Sequence, residues 1–143
     1  MGSKRVCPHT ITLYNYMGED ASGNAKYART LLKYVHTHIN EGMGSGDVSE
    51  DKTRIHIFDD TVESNKPFLK HSEWTVLSDA EKVKFWTLCP EGKDYFAQGD
   101  IVGADTDIVG EPLPTDVVLF RIMLISRLIV GTKRMHHWRI EAR

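Results

Sequence analysis

The sequence predicts an all-β or β-rich protein: a small β-barrel with long loops and one short helix. Three observations predict it. Short apolar runs alternate with polar residues at a period of two, the period of a strand with one buried face. Glycine, proline and aspartate clusters separate those runs at short intervals. A helix start signal of capping-box spacing occurs in one stretch, "LSDAEKVKFW". At 143 residues the chain suits one domain, residues 1–143, large enough to fold without staples.

The elements follow in order. In "TITLYN" at 10–15, Ile11 and Leu13 alternate with Thr10, Thr12 and Asn15, which reads as a strand. "MGEDASGNA" is a polar turn. "KYARTLLKYVHTHI" at 26–39 fits two patterns. As a helix it would align Tyr27, Leu31, Tyr34, Val35, His38 and Ile39. As a strand it would set Tyr34, His36 and His38 against Val35, Thr37 and Ile39. "NEGMGSGDVSEDK" at 40–52 cannot fill a core and reads as a flexible loop. "TRIHIFDD" is a strand in which Ile55 and Ile57 alternate with His56 and Phe58.

Pro67 makes "SNKPFLKHSEW" an extended or looped connection. Ser78 caps the short helix, with Glu81 three residues on. "FWTL" then places Phe85 and Thr87 on one side, Trp86 and Leu88 on the other. A turn at Pro90–Gly92 leads into a strand through Tyr95 and Phe96. A second loop covers 103–114, and Val117 to Arg143 forms two long strands joined near Gly131–Thr132.

Composition excludes several classes. A net charge of −2 argues against a nucleic-acid or membrane binder driven by bulk charge. Cys7 and Cys89 are too few for a disulfide framework, and a reducing compartment is the simpler expectation. "MGSKRVCPHT" lacks the apolar run of a signal peptide. "VVLFRIMLISRLIV" is cut by Arg121 and Arg127, too short and too charged to span a bilayer.

Candidate chemistry is sparse. Adjacent His136 and His137 diverge on a strand, so they cannot share one ion. His36 and His38 have converging spacing but need a third ligand, for which His56 or His71 would have to approach in space. No nucleophile elbow, phosphate loop or dinucleotide fingerprint is present. The expectation is therefore no enzyme, no catalytic residues, no cofactor and no metal.

Charge asymmetry is more informative. Arg121, Arg127, Lys133, Arg134, Arg139 and Arg143 face one acid, Glu141, near the end of the chain. Between 41 and 81 acids dominate, among them Asp47, Glu50, Asp51, Asp59 and Asp60. Opposed charge regions suit head-to-tail packing of identical subunits. Of the tryptophans, Trp74 is assigned with the charged residues to a subunit contact, and Trp138 with Ile140 to the core.

Taken in order, "HTITLYN", "RTLLKYVHTHI", "DKTRIHIF", "PFLKHSEW", "FWTLCPEGKDYFAQGDIV" and "RMHHWRIEA" resemble a family of small proteins. These are encoded in the structural-gene clusters of tailed phages and prophages of Firmicutes. That family opens with a TLYN-type strand, carries a W-T-L segment followed by G-D-x-I/V, and closes with a basic hairpin ending in H-W-x-V/I. The resemblance covers most of the chain. It implies a β-barrel head-closure (stopper) or head–tail connector protein of the virion neck, and a strand at 29–39. It further implies a homo-oligomeric ring, sixfold, between the portal or adaptor complex and the tail tube or its terminator. Such a ring is assembled in the bacterial cytoplasm and does not contact a membrane. Packaged DNA would pass through it without sequence-specific binding. On physical grounds either the 40–52 loop, with Asp47, Glu50 and Asp51 lining the bore and repelling phosphates, or the 103–114 loop would face the channel. A tail terminator or a head–tail adaptor is the nearest alternative, and a small metal-dependent hydrolase the non-structural one.

Overall fold

The computed structural model describes residues 4–39, 53–101, 110–129, 131 and 135–143. Seven strands and two short helices follow the chain order. They are β1 (His9–Glu19), β2 (Ala25–Ile39), β3 (Thr53–Phe58), β4 (Glu63–Ser64), α1 (His71–Trp74), α2 (Asp79–Lys82), β5 (Tyr95–Gln98), β6 (Phe120–Leu128) and β7 (His137–Ala142). The segment 26–39 is thus strand, not helix. A second four-residue helix, α1, stands where an extended or looped connection was expected. The chain is extended through Pro67, as that proline requires, and turns helical once Lys70 accepts from Glu73 and Trp74.

The sheet closes in a ring. Its order runs β1-β5-β6-β7-β3-β2, β2 pairs back to β1, and two-residue β4 hangs on β2. Closure removes the exposed strand edges that invite aggregation. It needs two sharp corners, and the two longest strands make them. β2 pairs with β1 as far as Val35 and with β3 from His36 onward. Just before the switch, between Lys33 and Val35, Tyr34 is an unpaired extra residue at φ 60°, a left-handed conformation unusual for a non-glycine side chain. β6 does the same. Phe120 and Arg121 pair with β5, Ile122 onward with β7, and Met123 is the extra residue. A bulge bends its strand, so each long strand can serve both halves of the ring.

The interior follows the predicted alternation. Ile11 and Leu13, Leu32 and Val35, Ile55 and Ile57, Phe96, Ile122, and Ile140 with Ala142 meet inside, joined by Trp86 and Leu88. Leu32 and Val35 are three apart because the Tyr34 bulge consumes one residue. A second cluster lies under the helices, where Met17, Ala28, Trp74 and Val83 pack together. The Ser78 cap forms as read: its Oγ accepts the Glu81 N–H at 3.4 Å. No helix among the described residues is long and apolar enough to cross a membrane.

One polar knot sits inside this frame. Asn15 Nδ2 donates to Thr87 O at 2.7 Å and to Asp94 Oδ2 at 2.8 Å, and Asn15 Oδ1 accepts from Thr87 N. Asp94 also accepts from Tyr16 N (2.9 Å) and Cys89 N (3.1 Å). Both side chains are almost fully buried. The knot ties β1 to the 87–94 turn, and N–H groups facing a carboxylate make charge-assisted bonds. The loop ahead of β6 is tied down as well. Glu111 exchanges two backbone bonds with Tyr27 and pairs with Arg29 at 3.2 Å. The part of the expected 103–114 loop that is described, 110–114, is therefore anchored to β2. The rest of it, and the 40–52 loop, lie outside the described residues.

Candidate functional site

A cleft of about 560 Å³ opens beside the β6–β7 hairpin. β3 contributes Ile57, β7 Trp138, and the 59–70 connection Val62 and Phe68; Trp86 and Ile129 complete the apolar wall. Its aromatic rings brace one another. Phe68 packs edge-on to Trp86 at 4.8 Å and tilted to Trp138 at 5.7 Å. The local fold holds them there, because Phe68 and Trp86 form a parallel bridge and Leu69 N donates to Trp86 O at 2.9 Å.

The rim is charged. Arg127 lies over the Trp138 ring at 4.9 Å and grips the Asp59 carboxylate with two N–H groups, one of them at 2.7 Å. Hydrogen bonding to Asp59 pushes the Arg127 guanidinium above its ordinary range. A planar fork matched to a carboxylate and stacked on an indole is a rigid polar edge. The arrangement suits an apolar side chain held beside an ion pair.

On and beside the β6–β7 pair the protein exposes large apolar side chains, of which Ile129 also lines the cleft. Met123 and Leu124 on β6 are about half exposed, and Ile129 is 64 % exposed. Val118 before the strand and Met135 before β7 are also open to solvent. Exposed apolar groups of this size are the kind that contact surfaces use. Sequence reading missed them because alternation assigns such residues to a core, and the Met123 bulge reverses which of them turn outward.

The expected contact residues fare differently. Arg127 and Asp59, expected to reach across subunits, satisfy each other within the chain. The strand pairing of β3 with β7 and of β7 with β6 brings the two charge regions side by side. Trp74, also expected at a contact, is 2 % exposed. Its indole packs in the cluster under the helices, and its Nε1 donates to Lys82 O at 3.1 Å. Arg121 is exposed, with Nε donating to Gly92 O at 2.7 Å. Asp60 is exposed and accepts from Thr61 Oγ1. Arg139 is partly buried, and its Nε finds no hydrogen-bond partner among the described residues. Lys133, Arg134, Asp47, Glu50 and Asp51 lie outside the described residues.

A second cluster lies on the outer face of β2, β3 and β7. His36 and His56 are direct cross-strand partners, with rings 5.9 Å apart. His9 lies 5.8 Å beyond His36, and His137 lies 5.3 Å from His56 and stacks on Phe58 at 4.4 Å. Burial, reinforced by His137 and His36, pushes His56 down to about 4. Val6, Cys7, His36, His56, Phe58 and His137 line a cavity of about 340 Å³ there. His56 did approach His36, as a shared site would need, but the rings run in a row instead of converging. Among the described residues no group of three or more His, Cys, Asp or Glu is set to hold a metal ion.

Residues 6–143 match the model of a family of unknown function, DUF6751, and the chain belongs to that family. No curated protein and no solved structure matches the chain.

Proposed function

We propose that this member of the DUF6751 family is a structural subunit of a tailed-phage neck. In this reading the subunit assembles into a ring, hexameric by the family resemblance drawn above. The ring closes the DNA-filled head and joins the portal or adaptor complex to the tail. Its place is the virion, at the head–tail interface, and it acts by contact, not by catalysis.

The observation that carries this reading is the β6–β7 hairpin, with its aromatic cleft and its exposed Met123, Leu124 and Ile129. A monomer gains nothing from leaving such groups in water, whereas an interface core is made of them. A ring-closed sheet adds support. Its curvature is held by two bulges and a shared core, so it can present a hairpin as a rigid contact. Head closure, tail termination and head–tail adaptation all need such a surface, and the second and third remain the nearest alternatives. The non-structural rival is a small metal-dependent hydrolase built on the histidines, although no group of three or more His, Cys, Asp or Glu among the described residues is set to hold a metal ion. Stoichiometric zinc retained after dialysis would support that rival.

The deciding experiment is electron microscopy of a lysate from phage lacking this gene. Emptied heads beside separate finished tails are the expected outcome. Filled heads beside tails of irregular length would assign tail termination instead. Normal virions would overturn the structural reading.

A further inference from the structure

We propose that His9, at the end of a row it forms with His36, His56 and His137, is a proton-operated latch that holds the N-terminal arm, residues 4–8, on the outer face of β2, β3 and β7 and releases it on acidification. This goes beyond the neck reading and stands independently of it.

The arm is laid over the row. Val6 and Cys7 form one wall of the cavity whose other walls are His36, His56, Phe58 and His137. Cys7 is 1 % exposed there. The arm joins the sheet at His9, whose Nδ1 accepts the Thr37 N–H at 3.1 Å. That bond requires a lone pair on Nδ1. A proton placed on this nitrogen abolishes it and leaves two N–H groups facing each other. Histidine is the side chain whose charge change ordinarily falls between pH 5 and 8.

Every element facing the row adds positive charge. β1 brings His9, β2 His36 and His38, β3 His56 and Arg54, and β7 His137 and Arg139. The arm itself carries Lys4 and Arg5. The acids nearby are engaged: Glu141 with Arg54 at 3.6 Å, and Glu63 with Lys4 at 2.5 Å. The rings stand 5.8, 5.9 and 5.3 Å apart in sequence along the row. Positive charge placed on such a row is opposed by the Arg54 and Arg139 guanidiniums beside it. The His137 Nδ1 lies 2.9 Å from Met135 O, a partner that needs a donor, which leaves Nε2 as the ring's acceptor.

The chain contains its own reporter and its own control. Cys7 belongs to the arm and is buried against the row, and Cys89 is buried beside Asp94, away from the row. The test is thiol labelling of the intact protein with an acid-tolerant disulfide reagent, at about pH 7.5 and about pH 5. Each site is resolved by peptide mass spectrometry. Each rate is divided by that of the urea-unfolded chain at the same pH, which removes the thiol's own pH dependence. The expected result is a rise of about tenfold in the normalised Cys7 rate at the lower pH, with Cys89 unchanged. His9→Gln keeps an acceptor for Thr37 that does not titrate, and this variant should flatten the response. An unchanged Cys7 rate, an equal rise at Cys89, or a full response in His9→Gln would each overturn the latch. The wild-type comparison of the two cysteines decides the matter even if the variant misfolds.

Discussion

Two polar regions of this protein solve opposite problems. The Asn15–Asp94 knot is buried and answered on every side by hydrogen bonds. The histidine row on the outer face of β3 is half-buried and surrounded by groups of its own charge type. The difference teaches what a polar group in a small barrel is for. Where N–H donors converge, it fastens one segment to another. Where imidazoles line up, it makes a face whose charge depends on pH.

The largest expected effect breaks the first region. Asn15→Ala would strip Asp94 of one donor and leave Thr87 N and O buried without their partner. The expected cost is about 3–5 kcal/mol, measured by urea unfolding. A cost near that of an exposed substitution would mean the knot is dispensable.

The next effect sharpens the comparison through pH. Burial pushes Asp94 from 3.8 up to about 6, against the pull of its three N–H donors. Its folded form binds the proton more tightly than its unfolded form. The stability it contributes is therefore full below about pH 4 and is lost as pH rises through about 6, a swing on the order of 3 kcal/mol. His56 has the opposite sign. Its folded value is lowered from 6.5 to about 4, so its contribution is full above about pH 6.5 and is lost as pH falls through about 4. Solvent screening at this half-buried site reduces that swing to on the order of 1–2 kcal/mol.

The two slopes oppose each other over the same window. The wild-type unfolding free energy should change less across it than that of the His56 variant, which keeps only the larger aspartate term. Asp94→Asn leaves the histidine term and should lose stability on acidification. His56→Phe leaves the aspartate term and should gain it. Parallel profiles for the two variants would show that these groups do not govern the acid limb.

The smallest effect concerns the ion pair at the cleft. A double-mutant cycle on Arg127→Ala and Asp59→Ala should give a coupling of about 1 kcal/mol or less, since both partners are partly exposed. A coupling well above that would place the rim among the groups that hold the fold together.

Much of the fold was legible because strand periodicity is local. Ile11 and Leu13, Ile55 and Ile57, and Ile140 alternate in the sequence and meet in one interior. The Ser78 cap was legible for the same reason, since its partner is three residues away. At 26–39 local pattern left two readings open, and pairing with β1, β3 and β4 made it a strand. Little of the site was legible. Trp74 reads as an interface residue until α1 and α2 fold over it. Arg127 and Asp59 belong to opposed charge regions until β7 lies between β6 and β3. The exposure of Met123 and Leu124 depends on one extra residue in a strand.

By itself the sequence determined the strand-rich class, the inward faces of β1, β3 and β7, and the helix cap, because these depend on neighbours a few residues apart. Only the tertiary structure decided the ring closure, the Asn15–Asp94 knot, the cleft and the histidine row. Their members lie far apart in the chain: Asn15 meets Asp94 across 79 residues, and His9, His36, His56 and His137 come from four strands. Registers between strands bring them together, and a register is a property of the pair, not of either strand alone.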